Sequence, residues 1–310
     1  MKKLHASGIT AIVAAAVAFF ALTYAHQPSS VKEDLSRGRE VPVAAAIMPS
    51  SIQASTPSVP ANLNLEKSQE SETIPEAAVP VSEKDSANPA NPANEAAVSR
   101  GLIYLDPGHQ RKGDSRQEPI SPDSSATKAR VTGGTTGVST GKPEYVLNLE
   151  VALLLKEALI KRGFEVLMTR EDHEVNLSNV ERAEMANAAN ARLAVRIHAD
   201  GNDSAKAKGY SVLYPDKSVS VTRGIQADSL LAAESILGAL KAGTNASSRG
   251  LQPRKDLTGF NWSTVPVVLV EMGFMTNPSE DEDMSDPDYQ LQLAEAIAVG
   301  IDLYMVQKED

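Results

Sequence analysis

The chain has 310 residues, no cysteine and a formal net charge of −10 at pH 7. The absence of cysteine excludes a disulfide framework, a thiol nucleophile and a thiolate zinc site. The excess of acidic residues argues against nucleic acid as a partner.

The first 25 residues have the pattern of a secretory signal. A short basic segment, Met1-Lys2-Lys3, precedes an apolar run over residues 9–25 that only two threonines interrupt. This run is close to the ~17-residue lower limit for a spanning helix, so an uncleaved membrane anchor is the alternative. In both cases we expect the rest of the chain to be exported, to the extracellular space or the cell envelope.

Residues 26–99 are rich in alanine, proline, serine and glutamate and poor in aromatic residues, with a low-complexity run at residues 88–94. Such a composition buries too little apolar surface to fold. We therefore predict a disordered linker that tethers a folded domain at residues 100–306. The sequence contains no repeat typical of a wall-binding array, and no protein partner is identifiable from it.

The folded part opens with a predicted buried strand at residues 102–106. Pro107 cannot donate to a sheet ladder and Gly108 permits a sharp turn, so His109 stands at the end of this strand. Residues 110–141 are polar and contain five glycines, and we predict one long loop there.

A predicted helix starts at Pro143, a residue that suits the first position of a helix, and ends near Gly163. Glu144 lies in its first turn, where the helix dipole favours a carboxylate. The residues expected to face a sheet are Val146, Leu149, Leu153 and Ile160, widened by Leu147, Leu154 and Ala158.

Strands and helices alternate through the remainder of the domain. Residues 164–169, 193–198, 209–214 and 265–271 have strand character, and residues 247–262 look irregular. Helices are predicted at 178–190, where Ser178 and Glu181 form a capping box, at 219–240 and at 287–304. This order predicts a single α/β domain with a mostly parallel, twisted sheet and helices on both faces.

Three predicted strands end on side chains that can do chemistry: His109, His198 and Glu271. The carboxyl ends of parallel strands share one edge of a sheet, and the helix after the long loop can bring Glu144 to that edge. Two imidazoles and one carboxylate make a three-ligand zinc site with an open fourth position, and a second carboxylate can act as general base. The alternative is that the two histidines are unrelated surface residues.

Four motifs, in order, resemble those of the zinc-dependent N-acetylmuramoyl-L-alanine amidases with an α/β catalytic domain (amidase type 3). They are Leu-Asp-Pro-Gly-His at residues 105–109, the helix that carries Glu144, Arg-Ile-His-Ala-Asp at residues 196–200, and Leu-Val-Glu-Met-Gly-Phe-Met-Thr-Asn at residues 269–277. The resemblance covers residues 101–306, nearly the whole folded part.

This resemblance implies that His109, Glu144 and His198 bind one Zn²⁺ and that Glu271 is the catalytic carboxylate. Zinc-activated water would cleave the amide between N-acetylmuramic acid and L-alanine in peptidoglycan, and Glu271 would pass the proton of that water to the leaving amine. Two alternatives stay open: a zinc peptidase that acts on stem peptides, and a catalytically silent regulator that binds the cell wall.

Arg196 departs from the family pattern, which usually has a small residue at this position. It could form an ion pair with Asp106 or Asp200, or it could contact a substrate carboxylate or orient a metal ligand. Asp106 itself either accepts a hydrogen bond from His109 or only caps the turn that follows it.

Overall fold

The computed structural model describes residues 99–309. The signal or anchor predicted at residues 1–25, and all but the last residue of the predicted linker at 26–99, lie outside the described residues. Within residues 99–309, no helix combines the length and the apolar character that crossing a bilayer requires.

Six strands form the central sheet, in the order β4-β1-β5-β8-β6-β7. The first four run parallel, β6 is antiparallel to β8, and β7 is parallel to β6. The predicted mostly parallel sheet is therefore confirmed. The strands are β1 Leu102–Pro107, β2 Asp114–Pro119, β3 Thr127–Val131, β4 Glu165–Met168, β5 Leu193–Asp200, β6 Tyr210–Pro215, β7 Ser248–Arg254 and β8 Val267–Phe274.

Helices cover both faces of this sheet, as predicted. They are α1 Glu144–Lys161, α2 Asn179–Ala188, α3 Gln226–Gly243, α4 Thr258–Asn261, α5 Pro278–Ser285 and α6 Pro287–Glu309. The long helices α1, α3 and α6 pack on one face in the larger apolar cluster. Helices α2 and α4 pack on the other face in a smaller cluster.

The alternation along β5 decides which side chains can reach the site. Val195 and Ile197 point into the larger cluster, while Arg196 and His198 take the opposite face. Glu271 is the register partner of His198 on the neighbouring strand and shares that face. The sheet thus brings a histidine and a carboxylate side by side at its edge.

Several predicted element boundaries are wrong. The stretch at 110–141 is not one loop, because β2 and β3 form an antiparallel hairpin in it. The helix predicted to begin at residue 219 begins at Gln226. The stretch at 247–262 holds β7 and α4, and α5 was not predicted at all. The strands of the hairpin, Asp-Ser-Arg-Gln-Glu-Pro and Thr-Lys-Ala-Arg-Val, lack the apolar alternation that marks a strand in a sequence.

The buried stripe of α1 also differs from the prediction. Leu153 and Ile160 are 38% and 46% exposed, so they do not face the sheet. The side of α1 that faces the sheet is marked by its fully buried residues, Leu147, Val151, Ala152, Leu155 and Leu159.

The contact between α3 and α6 depends on Gly300. A Cβ atom at this position would overlap the backbone of Ile236. We expect Gly300→Ala to lower the free energy of unfolding by about 1–3 kcal/mol, because the two helices must move apart.

The matched control is Gly238→Ala in α3, where nothing lies within 4 Å of the added atom. The control should raise stability by about 0.5–1 kcal/mol in urea denaturation. Equal stabilities of the two variants would contradict the close helix contact.

Candidate metal centre

The three strand ends and the first turn of α1 converge at one edge of the sheet. His109 follows β1, and the amide of Gly108 donates to the carbonyl of Ile197 on β5 at 2.9 Å. Glu144 is the first residue of α1. His109, Glu144 and His198 each offer one ligand atom, and these atoms all lie within 4.8 Å of one another.

A single oxygen of Glu144 faces both imidazoles. Its Oε1 atom lies 3.1 Å from Nε2 of His109 and 3.2 Å from Nδ1 of His198. The two rings meet edge to face, with their centroids 4.9 Å apart. The sequence-predicted ligands are therefore brought together, although they lie on separate elements.

The orientation of His109 is fixed by the main chain. Its Nδ1 atom lies 2.9 Å from the carbonyl oxygen of Thr132, which can only accept, so Nδ1 carries the proton. The lone pair of Nε2 is then free and directed at Glu144, the arrangement found for metal-bound histidines. The expectation that Asp106 accepts from His109 is wrong, because this carbonyl from the end of the hairpin fills that role.

Glu144 is buried and held by donors from three segments. Its Oε2 accepts from the amide of Thr135 at 2.9 Å, and its Oε1 accepts from the amide of Ala199 and from Nδ2 of Asn148, both at 3.2 Å. Burial alone would raise the pKa of this carboxyl. The two imidazoles beside it, His109 and His198, outweigh burial and hold the pKa of Glu144 well below its usual range. Glu144 is therefore a carboxylate anion at neutral pH.

His198 is a neutral imidazole at physiological pH. Burial lowers its pKa to about 4, although Glu144 acts in the opposite direction. A neutral ring keeps a lone pair available for a metal ion. Its Nε2 atom is buried and has no hydrogen-bond partner among the described residues.

These three residues fit zinc. Tetrahedral zinc with nitrogen and oxygen ligands at 2.0–2.2 Å sets neighbouring ligand atoms about 3.3–3.5 Å apart. The two distances from Glu144 Oε1 to the imidazole nitrogens lie within a few tenths of an ångström of that separation. Two neutral imidazoles and one carboxylate also leave a fourth position for water.

Glu271 is half-buried beside this group. It is the register partner of His198, and its Oε2 has no hydrogen-bond partner within residues 99–309. Burial raises the pKa of Glu271 well above its usual range, and the nearby carboxylates Glu144 and Asp200 act in the same direction. A carboxyl group with a raised pKa binds a proton more readily than an ordinary one, which suits a general acid or base.

Arg196 and Asp106 form a buried ion pair. Nε of Arg196 donates to Oδ2 of Asp106 at 2.7 Å, and its Nη2 donates to Asn179 at 2.9 Å. Oδ1 of Asp106 accepts from Arg182 and Thr169, both at 2.7 Å. Burial alone would raise the pKa of Asp106, but the two arginines hold it far below its usual range. Of the two interpretations of Arg196, the ion pair is the one that the side chains form.

Some residues of the site had no signal in the sequence. Thr132 and Thr135 come from the hairpin and the segment after it, and they act through main-chain atoms that any residue carries. Asn148 is different, because it lies one helical turn after Glu144. A polar residue at that spacing on the buried side of a helix marks a partner for the carboxylate.

A model of the N-acetylmuramoyl-L-alanine amidase family matches residues 103–302. The chain belongs to this family. As an N-acetylmuramoyl-L-alanine amidase, it hydrolyses the amide between N-acetylmuramic acid and L-alanine in peptidoglycan.

Relatives and solved structures agree with this assignment. The chain is 30% identical over 232 residues to an amidase of this type from Mycobacterium tuberculosis, covering 73% of this chain and 92% of the relative. It is 26% identical over 226 residues to the germination-specific amidase of Bacillus subtilis, with 69% and 83% covered. The crystal structure of the amidase Ami1 from Mycobacterium smegmatis aligns with a TM-score of 0.61 at 30% identity, over 68% of this chain and 100% of that chain.

The ring of His198 lies directly against Gly108. A Cβ atom at this glycine would overlap the imidazole, so Gly108→Ala should displace His198 from Glu144. We expect at least about a tenfold rise in the zinc dissociation constant, within the range for disturbed ligand supports. Gly133→Ala is the control, since nothing lies within 4 Å of its added atom. Competition with a chromophoric chelator measures both variants, and wild-type affinity in Gly108→Ala would contradict the geometry.

Proposed function

We propose that the amidase works through one zinc ion held by His109, Glu144 and His198, with Glu271 as the catalytic carboxylate. The observation that carries this proposal is the approach of Oε1 of Glu144 to nitrogens of both histidines, at 3.1 and 3.2 Å. When bound, zinc would lower the pKa of a coordinated water to ~7 and polarise the scissile carbonyl.

The residues of the chain supply the proton transfers. Glu271 is half-buried next to His198, and its raised pKa makes it a good acceptor for a proton from the attacking water. Oε2 has no other hydrogen-bond partner among the described residues and is the atom that receives this proton. Glu271 then donates the proton to the nitrogen of the leaving L-alanine, so the amine departs neutral.

The remaining polar groups keep the ligands in place rather than take part in the reaction. Thr132 fixes the tautomer of His109, and the amides of Thr135 and Ala199 stabilise the anionic form of Glu144. These contacts use main-chain donors and acceptors, which are set by the fold. The buried pair of Arg196 and Asp106 lies outside the ligand group.

The location of the enzyme is part of the same proposal. Several relatives are named cell wall amidases, and their substrate lies outside the cytoplasmic membrane. Residues 1–25 would direct export or anchor the chain, and residues 26–99 would tether the catalytic domain at residues 100–306 within reach of the wall. The two other functions considered, a zinc peptidase and a silent regulator, have no described feature in their favour.

The products of wall digestion test the function directly. Full-length protein loaded with zinc and incubated with purified peptidoglycan should release intact stem peptides that begin with a free L-alanine amine. A chelator should abolish release, and added zinc should restore it. Mass analysis of the fragments distinguishes the alternatives. Glycan strands that keep their L-alanine while shortened peptides appear would identify a peptidase, and no release at all would identify a wall-binding regulator.

In the same assay, Glu271→Gln should lower kcat by about 10²–10⁴-fold, because the substituted amide cannot accept a proton. Zinc content should stay at one ion per chain, since Glu271 is not a ligand in the proposal. Glu184→Gln is the matched control on the exposed side of α2 and should keep wild-type turnover. Full activity in Glu271→Gln would remove this residue from the mechanism.

A further inference from the structure

Within residues 99–309, Arg170 is a buried cation that forms no ion pair with a carboxylate. The residue is 3% exposed and lies two positions after Met168, the last residue of β4. All of its hydrogen bonds go to main-chain carbonyl oxygens: Nε to Pro107 at 3.0 Å, Nη1 to Asp172 at 3.1 Å, and Nη2 to Gly108 at 2.9 Å and to Tyr145 at 2.8 Å.

This arrangement is unfavourable for a side chain that serves only the core. Burial, together with repulsion from Arg182, lowers the pKa of Arg170 to about 10, and the guanidinium is still charged at neutral pH. The buried carboxylate of Asp106 hydrogen-bonds to Arg182 and Arg196 instead. Burying a charge without an ion pair costs free energy. We therefore expect the hydrogen bonds of Arg170 to serve the structure of the site.

The carbonyl groups that Arg170 holds belong to the two segments that carry metal ligands. Pro107 and Gly108 directly precede His109 in the chain, and Tyr145 directly follows Glu144. One guanidinium therefore ties the backbone of the first ligand to the backbone of the second. No strand ladder or helix hydrogen bond joins these two segments at this point.

A second side chain makes the same link. Asn148 is fully buried, and its Nδ2 atom lies 3.2 Å both from the carbonyl oxygen of Gly108 and from Oε1 of Glu144. Arg182 makes a third contact with the turn, in which its Nη2 donates to the carbonyl oxygen of His109 at 3.0 Å. Three consecutive carbonyl groups of the turn are thus bound by side chains from outside it.

The turn needs this support because of its conformation. His109 has a φ of 59°, in the left-handed region that residues other than glycine seldom adopt. Such a conformation persists when the surroundings determine it. The carbonyl contacts of Arg170 and Arg182 are those surroundings.

We propose that Arg170 is a positioning residue of the metal centre, which fixes the separation between His109 and Glu144 before the ion binds. This inference rests on the proposed function, in which these two residues are zinc ligands. Lysine cannot replace the arginine, because a single ammonium lacks the planar fork that reaches two segments at once.

The test is Arg170→Lys in the full-length protein, which keeps the charge and removes the fork. Chelator competition should show a zinc dissociation constant about 10–100-fold above wild type. Hydrogen exchange of the metal-free protein should be faster at residues 108–110 and 144–146. Arg196→Lys is the matched control, because this buried arginine contacts Asp106 and Asn179 but no carbonyl of the ligand turn. Its zinc affinity should equal that of wild type.

The outcomes separate this inference from the proposed function. Wild-type zinc affinity and unchanged exchange in Arg170→Lys would overturn the positioning role while leaving the zinc site intact. An equal loss of affinity in the Arg196→Lys control would also overturn it, because the effect would then be general destabilisation. A wild-type protein that binds no zinc would overturn the proposed function and the inference together. Should Arg170→Lys not fold, Asn148→Ser removes the parallel link, and wild-type zinc affinity in that variant would count against the proposal.

Discussion

The approach of two imidazole nitrogens to one buried carboxylate oxygen is the constraint on which the rest of the structure depends. Oε1 of Glu144 lies within 3.2 Å of both His109 and His198. Ligand lone pairs this close in a buried site need a positive charge between them, supplied by a proton or by a metal ion. Zinc satisfies this demand and retains an open position for water. The surrounding hydrogen bonds hold the anionic carboxylate and the single histidine tautomer that such an ion requires.

The fold meets this constraint by topology. Parallel strands β1, β5 and β8 deliver His109, His198 and Glu271 to the same edge, and α1 brings Glu144 there in its first turn. The turn between β1 and the hairpin has no regular secondary structure, so side chains from elsewhere hold it. This explains a group of buried arginines that take no part in the proposed reaction. In the proposal above, Arg170 and Arg182 keep the main chain of the ligand segments in place.

Much of this arrangement could be predicted from the sequence. The strand before Pro107 and the β-branched run before Glu271 are local signals, and so is the helix start at Glu144. The hairpin and β7 could not be predicted, because their residues carry no clear apolar period, and β7 pairs with β6, which lies before α3 in the chain. The proposed role of Arg170 and the hydrogen-bond partner of His109 could not be predicted for a different reason. These contacts involve main-chain carbonyl groups, which the sequence does not distinguish from any others. Of the two roles left open for Asp106, the hydrogen bond from His109 does not form, because two arginines bind that carboxylate.

Anomalous diffraction at the zinc absorption edge, on crystals of the zinc-loaded protein, is the most direct test of whether His109, Glu144 and His198 bind one zinc ion. The account predicts one peak about 2.0–2.2 Å from Nε2 of His109, Oε1 of Glu144 and Nδ1 of His198, with Glu271 outside the ligand set. A peak at any other group of residues, or a site with one of these three side chains turned away, would contradict it.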